Sequence, residues 1–122
     1  MYDIVFYEDK NGYSELFESM LELSKNAETN KDSRIQFKQL NLYIELLKVQ
    51  GTRLSAKITK HLEDDIWELR PGNNRVLYFF FKNNVFVLLH MFRKKTRKTP
   101  KSEIENAKNE RNEYISRHEG NL

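Results

Sequence analysis

The chain has no cysteine. That excludes a disulfide framework and a thiolate zinc site. The three histidines, at positions 61, 90 and 118, show no spacing of metal-ligand type, so neither a structural metal nor a cofactor is expected. Proline occurs twice and glycine four times in 122 residues. With no low-complexity linker and no internal repeat, residues 1–122 read as one domain. No long apolar run exists and the mean hydropathy is −0.78, which excludes a membrane-spanning helix. Met1 to Phe6 reads as a strand rather than a charged segment before an apolar signal core. A cytoplasmic protein with no membrane partner is the expectation.

What is present is charge. Hydrophobic residues make up 39% of the chain and charged residues 32%, enough of each for a packed core under a charged surface. The net charge is only +3, but it is unevenly placed. Five of the six positions from Arg93 to Lys98 are basic, and Lys101 follows. A second cluster runs Arg53, Lys57, Lys60, His61. Such local fields attract phosphate. Arg53, Lys57, Lys60, Lys95, Arg97 and Lys98 are therefore the candidate contacts to nucleic acid.

Periodicity gives the order of elements. Ile4 to Tyr7 is a short strand, ended by Asn11-Gly12. Tyr13, Leu16, Phe17, Met20 and Leu21 recur at helical spacing, so a helix runs from Ser14 to Lys25. Asn26 to Lys31 is a polar loop. Phe37, Leu40, Ile44 and Leu47 mark a second helix closing near Gly51. Arg53 to Asp65 is mixed and charged, and reads as a loop with at most one helical turn. Ile66–Arg70, Arg75–Phe81 and Val85–Phe92 are rich in β-branched and aromatic residues and form a three-stranded meander. Thr99-Pro100 opens a last helix, with Thr99 as N-cap and Pro100 in the first helical position. Its apolar stripe is narrow: Ile104, Ala107, Tyr114, Ile115. The fold expected is a small α+β domain. An antiparallel sheet (N-terminal strand plus C-terminal meander) carries the N-terminal helical hairpin on one face, and a C-terminal helix follows.

The turns set a register. A four-residue loop at Pro71 to Asn74 puts Arg70 opposite Arg75. A two-residue turn at Asn83-Asn84 puts Lys82 opposite Val85, hence Leu77 opposite His90 and Arg75 opposite Phe92. Two rows share a face: Arg70–Arg75–Phe92 and Glu68–Leu77–His90. The other face holds Trp67, Leu69, Val76, Tyr78, Phe80, Val87, Leu89 and Met91, and should be the core face. On the first face Phe79, Phe81, Phe86 and Leu88 form an apolar end. Its polar end gathers a carboxylate, two arginines and a histidine beside the basic run.

That set suits phosphodiester chemistry on RNA. Attack of a 2′-hydroxyl on its adjacent phosphate needs a base, an acid for the leaving oxygen, and cations for the charge that develops. His90 or Glu68 can serve as base. Arg70 and Arg75 can hold the phosphate bidentately. Lys94 and Lys95 can neutralise charge, or donate a proton if their pKa values are lowered. No metal is required. Plainer readings exist for each part: a hydrogen-bonded structural histidine, an ion-paired Glu68, a solvated lysine loop, and core phenylalanines.

The stretches Ile66 to Pro71, Arg75 to Phe80, Leu88 to Pro100 and Glu103 to Ala107 resemble the phage-derived HigB-like branch of the RelE/ParE toxin superfamily. The pattern is ELR, then R-hydrophobic-hydrophobic-Y, then LLH-x-F-x-KK-T-x-K-TP-x-x-EI-x-x-A. The resemblance covers the second half of the chain. It implies a RelE-like domain and the toxin of a type II toxin–antitoxin pair, a metal-independent endoribonuclease that cuts mRNA on the ribosome. It further implies contacts to 16S/23S rRNA and an antitoxin of helix-turn-helix type, HigA-like, through which alone the complex meets operator DNA. By position, Arg75 matches the arginine at the scissile phosphate and Arg93 the second basic position, while His90, Lys94 and Lys95 belong to the HigB-like string. Where RelE carries two lysines and a tyrosine, this chain has Ile66, Glu68 and Thr99-Pro100, so histidine and carboxylate take over that work. Two other readings use the same residues: a ParE-like gyrase toxin, which does not need His90, and a non-catalytic basic module on RNA or ribosome. The endonuclease reading expects Arg70, Arg75, His90, Lys94 and Lys95 to be open to solvent in the free protein.

Overall fold

In a computed structural model, which describes residues 1–119, Ser14 marks the start of the first helix. Its Oγ accepts from the Phe17 N–H at 3.1 Å. Glu15 and Glu18 follow in the first turn of α1 (Glu15–Asn26), where free N–H groups and the helix dipole favour negative charge. Asn30 caps α2 (Lys31–Gln50) in the same way, its Oδ1 accepting from the Ser33 N–H at 2.8 Å. Gly51 ends α2 at φ +62°, and a Cβ there would lie 2.8 Å from the Tyr2 ring. Glycine satisfies both demands. A 3-10 turn, Gly51–Arg53, follows.

The strands are β1 (Asp3–Phe6), β2 (Thr59–Glu63), β3 (Ile66–Leu69), β4 (Asn74–Phe81) and β5 (Val85–Arg93), and α3 spans Lys101–Glu119. The class is α+β, as expected, with the strands in one sheet of order β1-β5-β4-β3-β2. Two features of the sheet correct the sequence reading. First, β1 runs parallel to β5, so the sheet is mixed rather than antiparallel. No tight turn joins these two strands, so none dictates their relative direction. Second, β2 occupies part of the segment read as a loop. Lys60, His61 and Glu63 are exposed and Thr59 is buried. An edge strand guarded by charge carries almost no apolar alternation. It is anchored by Thr59, whose Oγ1 donates to the Glu68 carbonyl at 2.9 Å and lies 2.6 Å from the Tyr78 hydroxyl. Burial pushes the Tyr78 phenol up to about 12, against the pull of the Thr59 hydrogen bond.

The β4–β5 hairpin departs in an instructive way. Phe81, not Lys82, faces Val85, so the loop has three residues, with Asn83 and Asn84 both at positive φ. Asparagine tolerates that conformation better than most side chains. The register is therefore one residue off near the turn. A bulge then restores it: Tyr78 faces Leu88, but Leu77 faces His90, leaving Leu89 as the extra residue. The pairs Leu77–His90 and Arg75–Phe92 stand as expected. Between turn and bulge the faces are exchanged. Phe86 and Leu88 pack on the hairpin side, and Val87 and Leu89 on the opposite side. Phe80, expected in the core, is 47% exposed.

Each face of the sheet has its own core. The α1–α2 hairpin buries Leu16, Met20, Leu40 and Leu47 against Leu69, Val76, Tyr78, Phe86 and Leu88. The other face is covered by α3, which buries only Ala107 and Tyr114 against Ile66, Leu77, Phe79, Val87 and Leu89. The first helical bonds of α3 are accepted by the Pro100 carbonyl, from Glu103 at 3.1 Å and Ile104 at 3.3 Å. Pro100 thus stands where Thr99 was expected to cap. The Thr99 hydroxyl turns instead to the Glu68 carboxylate.

Candidate active site

The site lies on the α3 face, at the end of the sheet where the β3–β4 turn meets the chain leaving β5. Pairing runs Lys60–Glu68–Leu77–His90 across four strands, so β2 brings Lys60 into the same row as the carboxylate. Lys94 joins from above, its N–H donating to the Asn73 carbonyl at 2.7 Å. Gly72 in this turn has φ +62°, and a Cβ would meet the Gln39 side-chain oxygen at 2.5 Å, so glycine lets the turn pack on α2.

Glu68 is the hub. Its Oε2 lies 3.4 Å from Arg70 Nε and 3.9 Å from Arg75 Nε, and its Oε1 accepts from Thr99. The carboxylate is 2% exposed, and a buried charge of this kind persists only with such partners. The Arg70 Nε is buried without a well-directed hydrogen bond, so its attraction to Glu68 is electrostatic. Arg70 Nη1 donates to the Ala56 carbonyl at 3.0 Å. Arg75 Nη1 donates to the Gly72 and Asn74 carbonyls, both at 2.8 Å. Burial lowers the Arg75 pKa; Glu68 opposes that and Arg70 adds to it. Arg93 Nη1 donates to Asn74 Oδ1 at 3.2 Å, and Asn74 Nδ2 donates to Gln36 Oε1 at 3.1 Å. This end of the sheet is thereby tied to α2.

His90 is clamped from α3. Its Nδ1 lies 2.6 Å from Glu110 Oε1 and its Nε2 lies 3.0 Å from Glu103 Oε1. Burial alone would lower the imidazole pKa, but Glu110 and then Glu103 outweigh it, and the net shift is upward. With both nitrogens facing carboxylates, the imidazolium is the favoured form. The expectation of an open patch is therefore corrected. Glu68, Arg75 and His90 are buried and Arg70 is half-buried: α3 closes over His90 through Glu103 and Glu110, while Glu68 and Arg75 are held by each other, by Thr99 and by the carbonyls of the β3–β4 turn. Lys94, Lys95, Arg97 and Lys98 are exposed, as are Arg93 and Lys60. Lys57 is exposed just before β2. Arg53 is not part of this group. It sits on the 3-10 turn, its Nε donating to the Gln50 carbonyl at 3.3 Å, beside Gly51 and Tyr2 at the sheet end where Asp3 pairs with Val85.

Glu103 and Glu110 are the functional neighbours that sequence reading missed. A signal existed: Glu103, Ala107, Glu110 and Tyr114 recur at four–three–four spacing, which puts two carboxylates and the two buried apolar residues on one helix face. Further charges hold α3 down. Lys108 pairs with Glu63 and, at 3.5 Å, with Asp64. Arg111 pairs with Asp65. Tyr7 donates its hydroxyl to Glu113 at 2.7 Å. Among the described residues no three His, Asp or Glu side chains are grouped to hold a metal ion. Nor is any described helix long and apolar enough to cross a membrane.

A family model described as phage-derived protein Gp49-like (DUF891) matches residues 29–112. That span takes in α2, the strands β2 to β5 and more than half of α3, and so every residue of the site. Among curated proteins, none matches the chain.

Proposed function

This chain belongs to the phage-derived Gp49-like family, and from that premise we propose that it is a ribosome-dependent, metal-independent endoribonuclease that cuts translated mRNA. The family is associated with RelE/HigB-like toxins of toxin–antitoxin systems, so an antitoxin partner follows. The HigB-like branch, a HigA-like helix-turn-helix antitoxin, contacts to mRNA and rRNA, and a cytoplasmic site of action belong to this proposal.

The observation that carries it is the convergence of Glu68, Arg70, Arg75 and His90 beside the exposed run from Arg93 to Lys98. Arg75, with Arg70, holds the scissile phosphate and stabilises its developing charge. Glu68 orients the two guanidinium groups. With α3 docked, His90 cannot take a proton, since both nitrogens face carboxylates. With α3 lifted, both nitrogens are free and the pKa falls back, so the imidazole exchanges protons near neutral pH. Lys60, Lys94, Lys95, Arg97 and Lys98 hold the message and the ribosome through phosphate contacts. A small patch without a deep pocket depends on the ribosome to orient the message.

The test is inducible expression of wild type, Arg75→Ala and His90→Ala without an antitoxin, with mRNA 5′ ends mapped with and without translation. Wild-type growth arrest with translation-dependent cuts, lost in both folded variants, supports the proposal. Arrest with intact mRNA and DNA damage moves the target to gyrase. Arrest that survives His90→Ala but not Lys94→Ala with Lys95→Ala leaves a non-catalytic basic module.

A further inference from the structure

The sheet has two outer edges, β1 and β2, and they are finished differently. Edge β2 is guarded. Lys60, His61 and Glu63 are exposed along it, and its pairing with β3 slips between His61 and Glu63. Charge and irregularity of that kind keep another chain from adding a strand. Edge β1 reads Asp3-Ile4-Val5-Phe6, with no lysine, no proline and an unbroken register against β5. Asp3 and Tyr7 donate their N–H groups to the carbonyls of Asn84 and Leu88, at 2.9 and 2.8 Å. Backbone groups alternate sides along a strand. Those of Asp3, Val5 and Tyr7 therefore serve β5, and those of Ile4 and Phe6 point to the open side. No turn or loop of the described residues bonds them back. Grooves flank this edge. On the hairpin side one of ≈ 550 Å³ runs along Ile4, Phe6, Tyr13 and Phe17, with Glu8 and Glu18 in its lining. It adjoins one of ≈ 290 Å³ between Phe6, Phe17, Leu21 and Phe37, which no charged side chain lines. Tyr13 is 53% exposed and Phe17 52%. On the α3 side ≈ 190 Å³ opens beside Val5, Phe6 and Tyr114.

We propose that this edge accepts an extended segment of a partner protein as a further strand, its alternate residues apolar and its flanks carrying lysine or arginine. The open N–H and C=O groups call for an extended segment, since a helix spends its own on itself. A strand laid on β1 sends alternate side chains to the two sides of the sheet, and the grooves call for apolar ones. Charge calls for the basic flanks. Residues 1–24 hold six carboxylates and one lysine, in a chain whose net charge is +3. Lys38, next to Phe37 on α2, lines neither groove on the hairpin side. On the α3 side Arg117 is paired with Glu113 and donates to the Glu8 carbonyl, and His118 stacks on Tyr114. The same carboxylates repel the phosphates of RNA. They also argue against a second copy, which would bring the same charges to the edge. Its Ile4 and Phe6 are packed on its own core, so it has no free side chains to fill the grooves. The proposal stands apart from the RNA chemistry, since β1 contributes no residue to that site and lies outside the matched residues 29–112.

The probe is a capped peptide of lysine, leucine, threonine, phenylalanine, threonine, leucine and lysine, in that order, titrated into the full chain and followed by amide NMR. The expected result is saturable shifts along β1, with slowed exchange at the Ile4 and Phe6 amides. N-methylation of the three central peptide amides abolishes binding, because it removes the pairing and leaves the side chains. Phe17→Asp weakens it on the order of tenfold. Glu8→Lys with Glu18→Lys weakens it several-fold, and glutamate in place of the peptide's terminal lysines then restores it. Glu8, Phe17 and Glu18 are exposed, so an unchanged circular dichroism spectrum and melt confirm that each variant is folded. Unmoved β1 amides at saturating peptide overturn the proposal. So does an N-methylated peptide that binds as well as the parent, or a wild type indifferent to the peptide's terminal charge. A free chain that is already dimeric, with Ile4 and Phe6 slow to exchange, gives the edge to a second copy and overturns it too.

Discussion

The two faces of the sheet are closed by different physics. On one face the α1–α2 hairpin buries a continuous set of leucines, a methionine and the rings of Tyr78 and Phe86. On the other, α3 contributes Ala107 and Tyr114 and little other buried apolar surface, and is held by Glu103 and Glu110 on His90, Lys108 on Glu63 and Asp64, and Arg111 on Asp65. Apolar burial is non-directional and insensitive to pH. Ion pairs that are partly exposed are screened by salt and depend on protonation. The hairpin is therefore the half of the core that salt and pH leave alone, whereas docking of α3 over Ile66, Leu77, Phe79, Val87 and Leu89 has an electrostatic part that responds to both. Of the residues proposed for chemistry, His90 sits beneath α3.

The sharpest way to break this contrast is to damage each face in turn. Leu40 is fully buried under the hairpin. Leu40→Ala should cost about 2–5 kcal/mol and lower the melting temperature of the whole molecule in one cooperative step. Ala107 is fully buried under α3. Ala107→Arg should cost about 1–3 kcal/mol locally. Rapid amide exchange over residues 101–119, with protection in α1, α2 and β4 retained, is the pattern that distinguishes detachment from unfolding.

A smaller effect separates the faces by pH. The His90 pKa is raised in the folded state. A raised histidine gives stability that is fully present below its unfolded pKa and is lost as pH rises through the folded pKa. Docking of α3 should accordingly be tightest in mild acid, near pH 6 and below, and should loosen toward alkaline pH. Imidazole proton shifts of His90 measured against pH give the folded pKa directly, and Glu110→Gln should lower it. An imidazole that titrates at or below its ordinary value would remove the electrostatic part of the clamp. The smallest expected change is at a helix cap. Ser14→Ala removes the acceptor for the Phe17 N–H, at a cost of about 1 kcal/mol by thermal melt, on the hairpin face alone and with no pH dependence.

The same contrast explains what could be read in the sequence. Helices α1 and α2 are legible because their apolar stripes are regular, start at Ser14, close at Gly51 and are parted by the polar loop Asn26 to Lys31. The meander is legible because β3, β4 and β5 are buried and rich in aromatic and β-branched residues. Strand β2 is not, since an edge strand such as Thr59–Glu63 shows charge where a central strand shows apolar side chains. The register at the site came out as expected only because two departures cancel. The loop after β4 has one residue more than a two-residue turn, and the Leu89 bulge absorbs it. No local pattern announces a bulge inside Leu88-Leu89-His90, so the exchanged faces of residues 86–89 could not be foreseen. The meeting of Glu68, Arg70, Arg75 and His90 followed from turn arithmetic. The burial of His90 did not, because the narrow apolar stripe of α3 conceals a docking face built of carboxylates.

The most direct test of a functional histidine held beneath α3 is cell-free translation with mapped mRNA 5′ ends, comparing the wild type with Ala107→Arg at equal concentration. The account predicts translation-dependent cuts in both, at least as frequent in Ala107→Arg, since loosening α3 frees His90 from Glu103 and Glu110. Cuts by the wild type that disappear in Ala107→Arg, while the hairpin and sheet remain protected, would contradict it and make the docked helix part of the working site.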